Sequence, residues 1–298
     1  METYGFRELT HITFKGYHMN CLVLGAAFGY GIEQVKPFVL SLRRCYDGLI
    51  VFVVDDLSSE LEKFYEENNI ITYIPDAPIN RGYGNVDRFR FYLDCLENFE
   101  DIDNIMLTDI RDVVFQSNPF VDYPKHAIEF FAEPELFGQC PHNGPWYTGL
   151  YGADSLSKIK DEYVLCAGTT LGDRETIVKY ISELIKEIEK LEVSGKAHGT
   201  CDQAVHNHLV YTGVFDDYRI NQNGEGLVST MHHSKTLTFD RQGRMLNNDG
   251  TPTPVIHQYD RCGPMSVVFL KNALGLKGKG IRAAAEYAAN NFFEHDLG

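Results

Sequence analysis

Residues 105–120 read IMLTDIRDVVFQSNPF, and this stretch indicates the fold of the chain more clearly than any other. Apolar residues at 105–107 predict a short buried strand, and those at 113–115 predict a second one. Asp109 and Asp112 stand between the two strands. Because ligands of α/β sheets bind at the carboxyl ends of strands, these carboxylates are the first candidates for a binding site.

The segments before this stretch alternate between strand-like and helix-like patterns. Apolar runs predict strands at 21–24, 49–54 and 70–74, and amphipathic spacing predicts helices at 35–44, 57–67 and 86–99. Strands that alternate with helices are typical of an α/β fold whose central sheet is mostly parallel and flanked by helices.

The segments after residue 120 are less regular. We predict a strand at 128–132, a polar aromatic loop at 141–147, a helix at 174–191 with Asp173 as its N-cap, turns and hairpins at 219–254, and a helix at 281–293. No composition break marks a linker. We therefore expect one domain over residues 1–298, with a nucleotide-binding half at about 18–120 and an acceptor-side half at 121–298 that ends in an irregular C-terminal layer.

Composition narrows the classes of partner. The chain has 298 residues, with 27 Lys and Arg against 42 Asp and Glu, and a formal net charge of −15. Such a chain repels the phosphates of nucleic acids, so we expect no nucleic-acid partner. A divalent cation held by carboxylates is one way for an acidic protein to bind an anion.

The sequence also lacks a recognisable membrane span, signal peptide or paired-cysteine motif. No apolar run approaches the roughly 20 residues of a membrane span, and no signal peptide is visible, so we expect a cytoplasmic protein without integral membrane association. The seven cysteines stand singly, without a C-x-x-C pair. This pattern argues against a zinc ribbon and predicts reduced thiols.

Asp109 and Asp112 allow two interpretations. Two carboxylates three residues apart at a strand end can hold one hard cation such as Mg²⁺ or Mn²⁺, with Arg111 fixing one of them. The alternative is a solvated acidic turn in which Asp112 pairs with Arg111.

The segment from Asp109 through VVFQSNP resembles the aspartate motif of GT-A fold glycosyltransferases. The usual pattern of that motif is D-x-D, whereas here Ile110 stands where its first aspartate would fall. Three further segments resemble the same family in the expected order: 166–172 before a long helix, the pair Asp202-Gln203, and 255–261 with His257. Together these similarities extend over residues 18 to about 262.

The resemblance implies roles for particular residues. Asp109, Asp112 and His257 would hold Mn²⁺ or Mg²⁺, a set of oxygen and nitrogen ligands that suits Mn²⁺ better than Ca²⁺. Asp202 would be the catalytic carboxylate at the reacting centre. Thr108, Asp109 and Gly168 would lie on the donor side, where a glycine lets a ligand approach the backbone.

Other donor-side candidates are charged residues. Asp55 and Asp56 follow a predicted strand and fit a base or ribose contact, or else a plain turn. Arg88 fits a phosphate or carboxylate partner, with a surface salt bridge as the alternative. Lys277 and Lys279 resemble the C-terminal lysine that grips the diphosphate in some GT-A enzymes, or belong to a solvated loop.

The acceptor-side candidates are mostly aromatic. His142, Trp146 and Tyr147 belong to the polar loop, and Trp146 is the single tryptophan of the chain. Sugar rings stack on aromatic faces, so we predict an acceptor-binding loop there, with ordinary packing as the alternative. Gln203 joins this group through the Asp-Gln resemblance.

We therefore predict a metal-dependent glycosyltransferase that moves a sugar from a nucleotide-diphosphate sugar, with UDP-sugars favoured, to an acceptor hydroxyl on a glycan or another molecule. The Asp-Gln and late-His pattern favours retention over inversion. The first alternative is a sugar nucleotidyltransferase, although residues 21–31 lack the basic residue of its Gly-rich loop. The second is a non-catalytic protein of the same fold that binds carbohydrates or nucleotide-sugars.

Overall fold

The computed structural model describes residues 20–232, 234, 237–276 and 280–291. The strands of these residues are, in chain order, β1 (Cys21–Ala26), β2 (Leu49–Val53), β3 (Ile71–Tyr73), β4 (Asn104–Thr108), β5 (Val113–Phe115), β6 (Ile128–Leu136), β7 (Tyr163–Asp173), β8 (Tyr218–Asn221), β9 (Val228–Thr230), β10 (Thr238–Phe239), β11 (Met245–Leu246) and β12 (Val255–His257).

The helices of the same residues are α1 (Ile32–Arg43), α2 (Ser59–Glu67), α3 (Gly84–Leu96), α4 (Asn143–Tyr151), α5 (Ala153–Ile159), α6 (Arg174–Val193), α7 (Asp202–Tyr211), α8 (Pro264–Ala273) and α9 (Gly280–Asn291). Two short 3-10 turns precede α3 and α8, at Arg81–Tyr83 and Tyr259–Arg261.

The central sheet has seven strands in the order β3-β2-β1-β4-β7-β6-β8. The four strands β3, β2, β1 and β4 are parallel to one another, and β8 is parallel to β6. Only β7 runs antiparallel to both strands beside it. The predicted α/β class with a mostly parallel central sheet is therefore confirmed.

The two faces of this sheet are covered by different helices. Leu22 and Leu24 of β1 pack in the same cluster as buried residues of α3, α6 and α7, whereas Val23 packs with residues of α1 and α2. Alternate residues of a strand point to opposite faces, so both faces need apolar side chains. This explains why the inner strands appear in the sequence as continuous apolar runs.

A smaller three-stranded sheet lies beside the end of β4. Its order is β5-β12-β9, with β12 antiparallel to β5 and parallel to β9. Val114 and Ile256 pack with residues of α8 and α9 in a third apolar cluster. The chain thus leaves β4, makes the turn at 109–112, and continues into a different sheet.

Two predictions on the second half need correction. Part of the predicted loop at 141–147 is the start of helix α4, and β6 extends to Leu136 rather than ending at residue 132. The predicted helix at 174–191 is confirmed as α6, and the Asp173 side chain accepts a hydrogen bond from the Thr176 N–H, 2.7 Å away. The predicted final helix is described over Gly280–Asn291.

The cysteine prediction is confirmed, since all seven cysteines are free thiols. Within the described part of the chain, no helix has the length and apolar character needed to cross a membrane.

Candidate metal centre

A cavity of about 220 Å³ opens at the carboxyl end of β4, which is where the sequence analysis expected a ligand. Most of the predicted site residues line it: Arg88, Asp109, Gly168, Asp202, Gln203 and His257, together with His142 and Trp146. Residues of α3, α4 and α7 and of β6 and β7 form its walls. Residues that lie far apart in the sequence therefore meet in one cavity.

Asp109, Asp112 and His257 form a cluster of potential metal ligands. The Nε2 atom of His257 lies 3.7 Å from a carboxylate oxygen of Asp109 and 3.6 Å from one of Asp112. One ligand atom from each residue falls within 4.8 Å of the other two. Asp112 and His257 are buried, and Asp109 is half-buried. The predicted ligand set is thus brought together.

Strand register explains why His257 joins the two aspartates. Asp109 follows the last residue of β4, and Asp112 precedes the first residue of β5. In the antiparallel pair of β12 and β5, His257 lies opposite Val113, the residue after Asp112. A shift of one residue in this pairing would turn the His257 side chain to the other face of the small sheet.

The turn between the aspartates is fixed from both sides. Ile110 is buried in the apolar cluster on the α1 side of the central sheet, and the Asp109 N–H donates a hydrogen bond to the Gly168 carbonyl, 2.7 Å away. The Arg111 guanidinium donates to Asp260 at 3.0 Å, and Arg261 donates to Asp112 at 3.2 Å.

The electrostatic surroundings of His257 favour the protonated, positively charged form of its imidazole ring. Burial alone opposes the protonated imidazole, but Cys166, Asp112 and Asp109 outweigh it and raise the pKa of His257 well above its ordinary value. The other ring nitrogen, Nδ1, lies 3.3 Å from the Cys166 thiol. Nε2 is therefore the nitrogen that faces the two carboxylates.

The donor set fits a divalent metal ion. The Nε2 atom of His257 is buried and has no hydrogen-bond partner, although two carboxylates face it at distances too long for a direct hydrogen bond. Metal–ligand bonds of about 2.1 Å at a common ion separate neighbouring ligand atoms by roughly 3 to 3.6 Å. Divalent transition metals accept an imidazole nitrogen beside carboxylate oxygens, and the choice of Mn²⁺ or Mg²⁺ stays a prediction.

Arg88 connects this cluster to Asp202. It lies on α3 and is 8% exposed, and its guanidinium donates hydrogen bonds to Asp109 and, at 3.0 Å, to Asp202. Of the partners that the sequence allowed for Arg88, the structure shows carboxylates. One buried cation thus orients a carboxylate of the metal cluster and the predicted catalytic carboxylate.

The two carboxylates that share Arg88 differ in proton affinity. Burial raises the pKa of Asp202 to about 6, and Arg88 offsets only part of this effect. Burial also opposes ionisation of Asp109, but Arg88 and His257 outweigh it and hold its pKa below the usual range. Asp109 is therefore the carboxylate that stays ionised, and Asp202 has the higher proton affinity of the two.

Gly168 lines the cavity and is also packed closely against two of the potential metal ligands, while its predicted donor-side role stays a prediction. A Cβ atom at this position would lie 2.4 Å from an Asp109 carboxylate oxygen and 3.0 Å from a ring carbon of His257. The space beside the glycine is thus filled by two of the potential ligands. Gly168 is needed for the metal cluster itself, besides lining the cavity.

The acceptor-side candidates divide into two groups. Trp146 is 39% exposed on α4, and its ring centroid lies 5.9 Å from that of His142. Gln203 lines the cavity with them, and its amide donates to Glu133 at 3.1 Å and to Asn143 at 2.9 Å.

Tyr147 lies elsewhere. It is 1% exposed, and its hydroxyl is 3.0 Å from the Nδ1 atom of His208 in the apolar cluster on the other side of α4. It is not among the residues that line the cavity. The structure gives this tyrosine the packing role that was the alternative in the sequence analysis.

Asp55 and Asp56 lie outside the lining of the cavity. Asp55 accepts hydrogen bonds from the Gly29 N–H at 2.8 Å and from Arg81 at 2.7 Å, and Asp56 accepts one from the Leu57 N–H at 2.8 Å. These bonds are those of a turn, and a contact with the base or ribose stays a prediction.

The remaining donor-side candidates include Thr108, which is buried at the end of β4 and donates to the Asp109 carbonyl at 2.9 Å. It supports the turn that carries the first ligand. Lys277 and Lys279 lie outside the described residues.

Two carboxylates of the cavity, Glu133 and Glu135 on β6, were not among the residues predicted from the sequence. They lie two residues apart, as expected for side chains on one face of a strand. The signal was the segment AEPEL at 132–136, in which acidic residues alternate with apolar or conformationally restricted ones.

Comparison with known proteins adds no identification. No protein-family model and no curated protein matches this chain. The cavity and its side chains are therefore the basis on which a function can be proposed.

Proposed function

We propose that this protein is a metal-dependent glycosyltransferase of the GT-A type. It would transfer a sugar from a nucleotide-diphosphate sugar, with UDP-sugars the favoured class, to an acceptor hydroxyl. The observation that carries this proposal is the convergence of Asp109, Asp112 and His257 at the carboxyl end of β4, beside a cavity that Asp109 and His257 line together with the Arg88–Asp202 pair.

The order of the strands supports the proposal. The parallel strands β3, β2, β1 and β4 form a nucleotide-binding type of sheet, and the acidic turn follows its last parallel strand. The chain then leaves the sheet through β5, so the turn is open to the cavity. Ligands of such sheets bind outside the carboxyl ends of the strands.

Asp109, Asp112 and His257 are the residues that would hold the metal ion. An ion of the Mn²⁺ or Mg²⁺ type supplies Lewis-acid neutralisation of the diphosphate leaving group. Because its ligands must be unprotonated, we expect metal binding to release the proton that the surroundings favour on His257. Arg261 lines the cavity beside Asp112 and adds positive charge near the same group.

Asp202 is the carboxylate that would act at the reacting sugar. If the reaction inverts the anomeric carbon, Asp202 accepts the proton of the acceptor hydroxyl, and its raised pKa suits a general base. If the reaction retains the configuration, the negative charge of Asp202 stabilises the cationic sugar. In both cases Arg88 fixes the carboxylate in place by its hydrogen bond.

Thermal unfolding of metal-free protein tests the proposal. The protein is treated with a chelator and then heated with UDP, GDP and their sugar conjugates, each with and without Mn²⁺. A ligand that binds the folded state raises the melting temperature by mass action. At a concentration of 100 times its Kd it raises the free energy of unfolding by about 2.7 kcal/mol. We expect a rise for one nucleotide family that requires Mn²⁺.

Two variants make this experiment specific. Asp112→Asn should abolish the metal-dependent rise, whereas Asp154→Asn, on the exposed start of α5, should keep it. Release of the nucleotide from its sugar conjugate would then separate an enzyme from a binding protein. A panel in which no nucleotide shifts the unfolding of the unsubstituted protein would contradict the proposal.

A further inference from the structure

The cavity has an acidic wall that the metal cluster does not explain. Glu133 and Glu135 both line it from β6, on a strand that contributes no metal ligand. Together with Asp202 they place three carboxylates around the space beside the metal cluster. The contacts of Glu133 and Glu135 bear on which ligand groups this part of the cavity can bind.

Glu133 is held rigidly. It is 7% exposed, and one of its oxygens accepts a hydrogen bond from the Gln203 amide at 3.1 Å. The same amide nitrogen donates to Asn143 at 2.9 Å. An amide NH₂ has two hydrogens, so both donors of Gln203 are spent within the wall. The carboxylate of Glu133 keeps further capacity to accept hydrogen bonds.

Glu135 has more acceptor capacity still. Its Oε2 atom is buried and has no hydrogen-bond partner among the described residues. A buried acceptor without a partner costs free energy, which a ligand hydroxyl would recover. Hydroxyl groups of a sugar ring are donors of the required kind.

No arginine of the described lining forms an ion pair with Glu133 or Glu135, and burial raises the pKa of Glu133, an effect that His257 and Arg261 offset only in part. Arg88 is shared between Asp109 and Asp202, and Arg261 donates to Asp112 at 3.2 Å. Each arginine of the described lining thus already faces a carboxylate. A carboxylate or phosphate carried by the sugar would meet acidic side chains without a spare arginine.

We propose that the sugar-binding part of this cavity selects an uncharged, hydroxyl-rich sugar and rejects sugars that carry a carboxylate or a phosphate. This inference rests on the proposed function, because it assigns the space beside the metal cluster to the transferred sugar. Glu133 and Glu135 accept hydrogen bonds from ring hydroxyls, and their charge repels an anionic substituent.

Matched pairs of nucleotide-sugars test the inference. UDP-glucose and UDP-glucuronate differ only at C6, where a carboxylate replaces a hydroxymethyl group, and UDP-galactose and UDP-galacturonate form a second such pair. GDP-mannose and GDP-mannuronate extend the comparison to the other base. Calorimetric titration with Mn²⁺ gives the dissociation constant of each, and UDP or GDP alone gives the contribution of the nucleotide.

We expect the neutral member of a pair to bind at least tenfold more tightly than the anionic one. In Glu135→Gln, and in Glu133→Gln, this ratio should fall by threefold or more, because one negative charge is removed while the shape is kept. Glu162→Gln should leave the ratio unchanged, since Glu162 is exposed just before β7 and does not line the cavity. Glu135 is the less buried of the two cavity glutamates, so its variant is expected to fold even if the Glu133 variant does not.

The outcomes separate this inference from the proposed function. If the nucleotide alone binds with Mn²⁺ but both members of every pair bind equally, or the anionic one binds better, the sugar selectivity is overturned and the metal and nucleotide site stands. If neither UDP nor GDP binds with Mn²⁺, the proposed function fails and the inference fails with it.

Discussion

A Cβ atom on Gly168 would lie 2.4 Å from a carboxylate oxygen of Asp109. Real Cβ atoms do not approach oxygen so closely, so any larger residue on β7 must push Asp109 away from His257. The carbonyl of Gly168 also accepts the hydrogen bond of the Asp109 N–H, so strand and turn are fixed to each other on the backbone as well. The position of Asp109 among the potential metal ligands therefore depends on the glycine at residue 168.

The first prediction concerns Gly168→Ala. We expect its affinity for Mn²⁺ to fall at least tenfold, because Asp109 must move, and its stability to fall by about 1–3 kcal/mol, the usual cost of overpacking. Calorimetric titration with Mn²⁺ and urea unfolding in chelator measure the two effects.

Gly149→Ala is the control for this variant. Gly149 lies inside α4, and an added Cβ there would meet no heavy atom within 4 Å. Alanine in a helix is favoured over glycine by about 0.5–1 kcal/mol, so this variant should be equally or more stable and should bind Mn²⁺ normally. Normal Mn²⁺ binding by Gly168→Ala would show that Asp109 is not a ligand in its present position.

The second prediction concerns Arg88, which is buried between Asp109 and Asp202. Arg88→Met keeps much of the apolar stem but leaves the buried carboxylate of Asp202 and the half-buried one of Asp109 without their cation. We expect the free energy of unfolding in chelator at neutral pH to fall by about 3–5 kcal/mol. Urea unfolding followed by circular dichroism measures this loss.

Arg90→Met is the matched control, two residues further along the same helix. Arg90 pairs with Asp87 and Glu192 at 2.9 and 3.0 Å, but its side chain is 31% exposed. Exposed ion pairs contribute about 0–1 kcal/mol, so this variant should lose little. If the free energy of unfolding of Arg88→Met fell by only about 0–1 kcal/mol as well, the carboxylates of Asp109 and Asp202 would have to be neutralised in another way.

The central sheet was predictable because its strands are buried on both faces. The inner residues of β1, β2 and β4 are almost all apolar, so the sequence shows continuous runs separated by amphipathic helices. The long helix α6 was predictable for a related reason, since one apolar face repeats over 20 residues after a capping aspartate. Local patterns of this kind do not depend on distant contacts.

Helix α4 shows where local patterns fail. Its sequence NGPWYTGLY contains two glycines, a proline and three aromatic residues, a composition typical of loops. Its buried residues, which include Tyr147 and Leu150, are fixed by contacts with other parts of the fold. Tertiary packing therefore overrides a weak helix propensity there.

The metal cluster was predicted from the order of its residues, but its geometry depends on strand register. Nothing near His257 in the sequence indicates that it pairs opposite Val113 and so comes beside Asp112. The acidic wall was missed for the same reason. Glu133 becomes a cavity residue only because β6 is placed beside β7 and faces α7, across more than 60 residues of sequence.

The third prediction concerns pH and His206. This residue is fully buried on α7, with its Nδ1 atom 2.7 Å from the Tyr180 hydroxyl, and burial lowers its pKa to about 3. The unfolded chain has an ordinary histidine pKa of about 6.5 and so binds one more proton between pH 6.5 and 3. Stability must therefore fall with falling pH through this window, by about 2.3 kcal/mol from pH 6.5 to 4.5.

Urea unfolding between pH 7.5 and 4.5 isolates this effect. His206→Asn should unfold with a pH dependence that is weaker by about one proton in this window, because the buried imidazole is gone. Tyr180→Phe removes the hydrogen bond but leaves the histidine buried, so its pH dependence should match that of the unsubstituted protein. Equal slopes in all three proteins would show that His206 is not neutral in the folded state.

The fourth prediction concerns Asp202, which the proposed function assigns to the reacting centre. Asp202→Asn keeps the shape and an oxygen for the hydrogen bond from Arg88, but it removes the charge and the ability to accept a proton. We expect the rate of transfer or donor hydrolysis to fall at least a hundredfold, since a positioned acid or base contributes about 10²–10⁴. Binding of the metal–nucleotide complex should change less than threefold, because the ligands Asp109, Asp112 and His257 are untouched. Asp154→Asn should leave both quantities unchanged. Release of nucleotide under saturating donor measures the rate, and calorimetric titration measures the affinity for the metal–nucleotide complex. Equal losses in rate and affinity would make Asp202 a binding residue rather than a catalytic one.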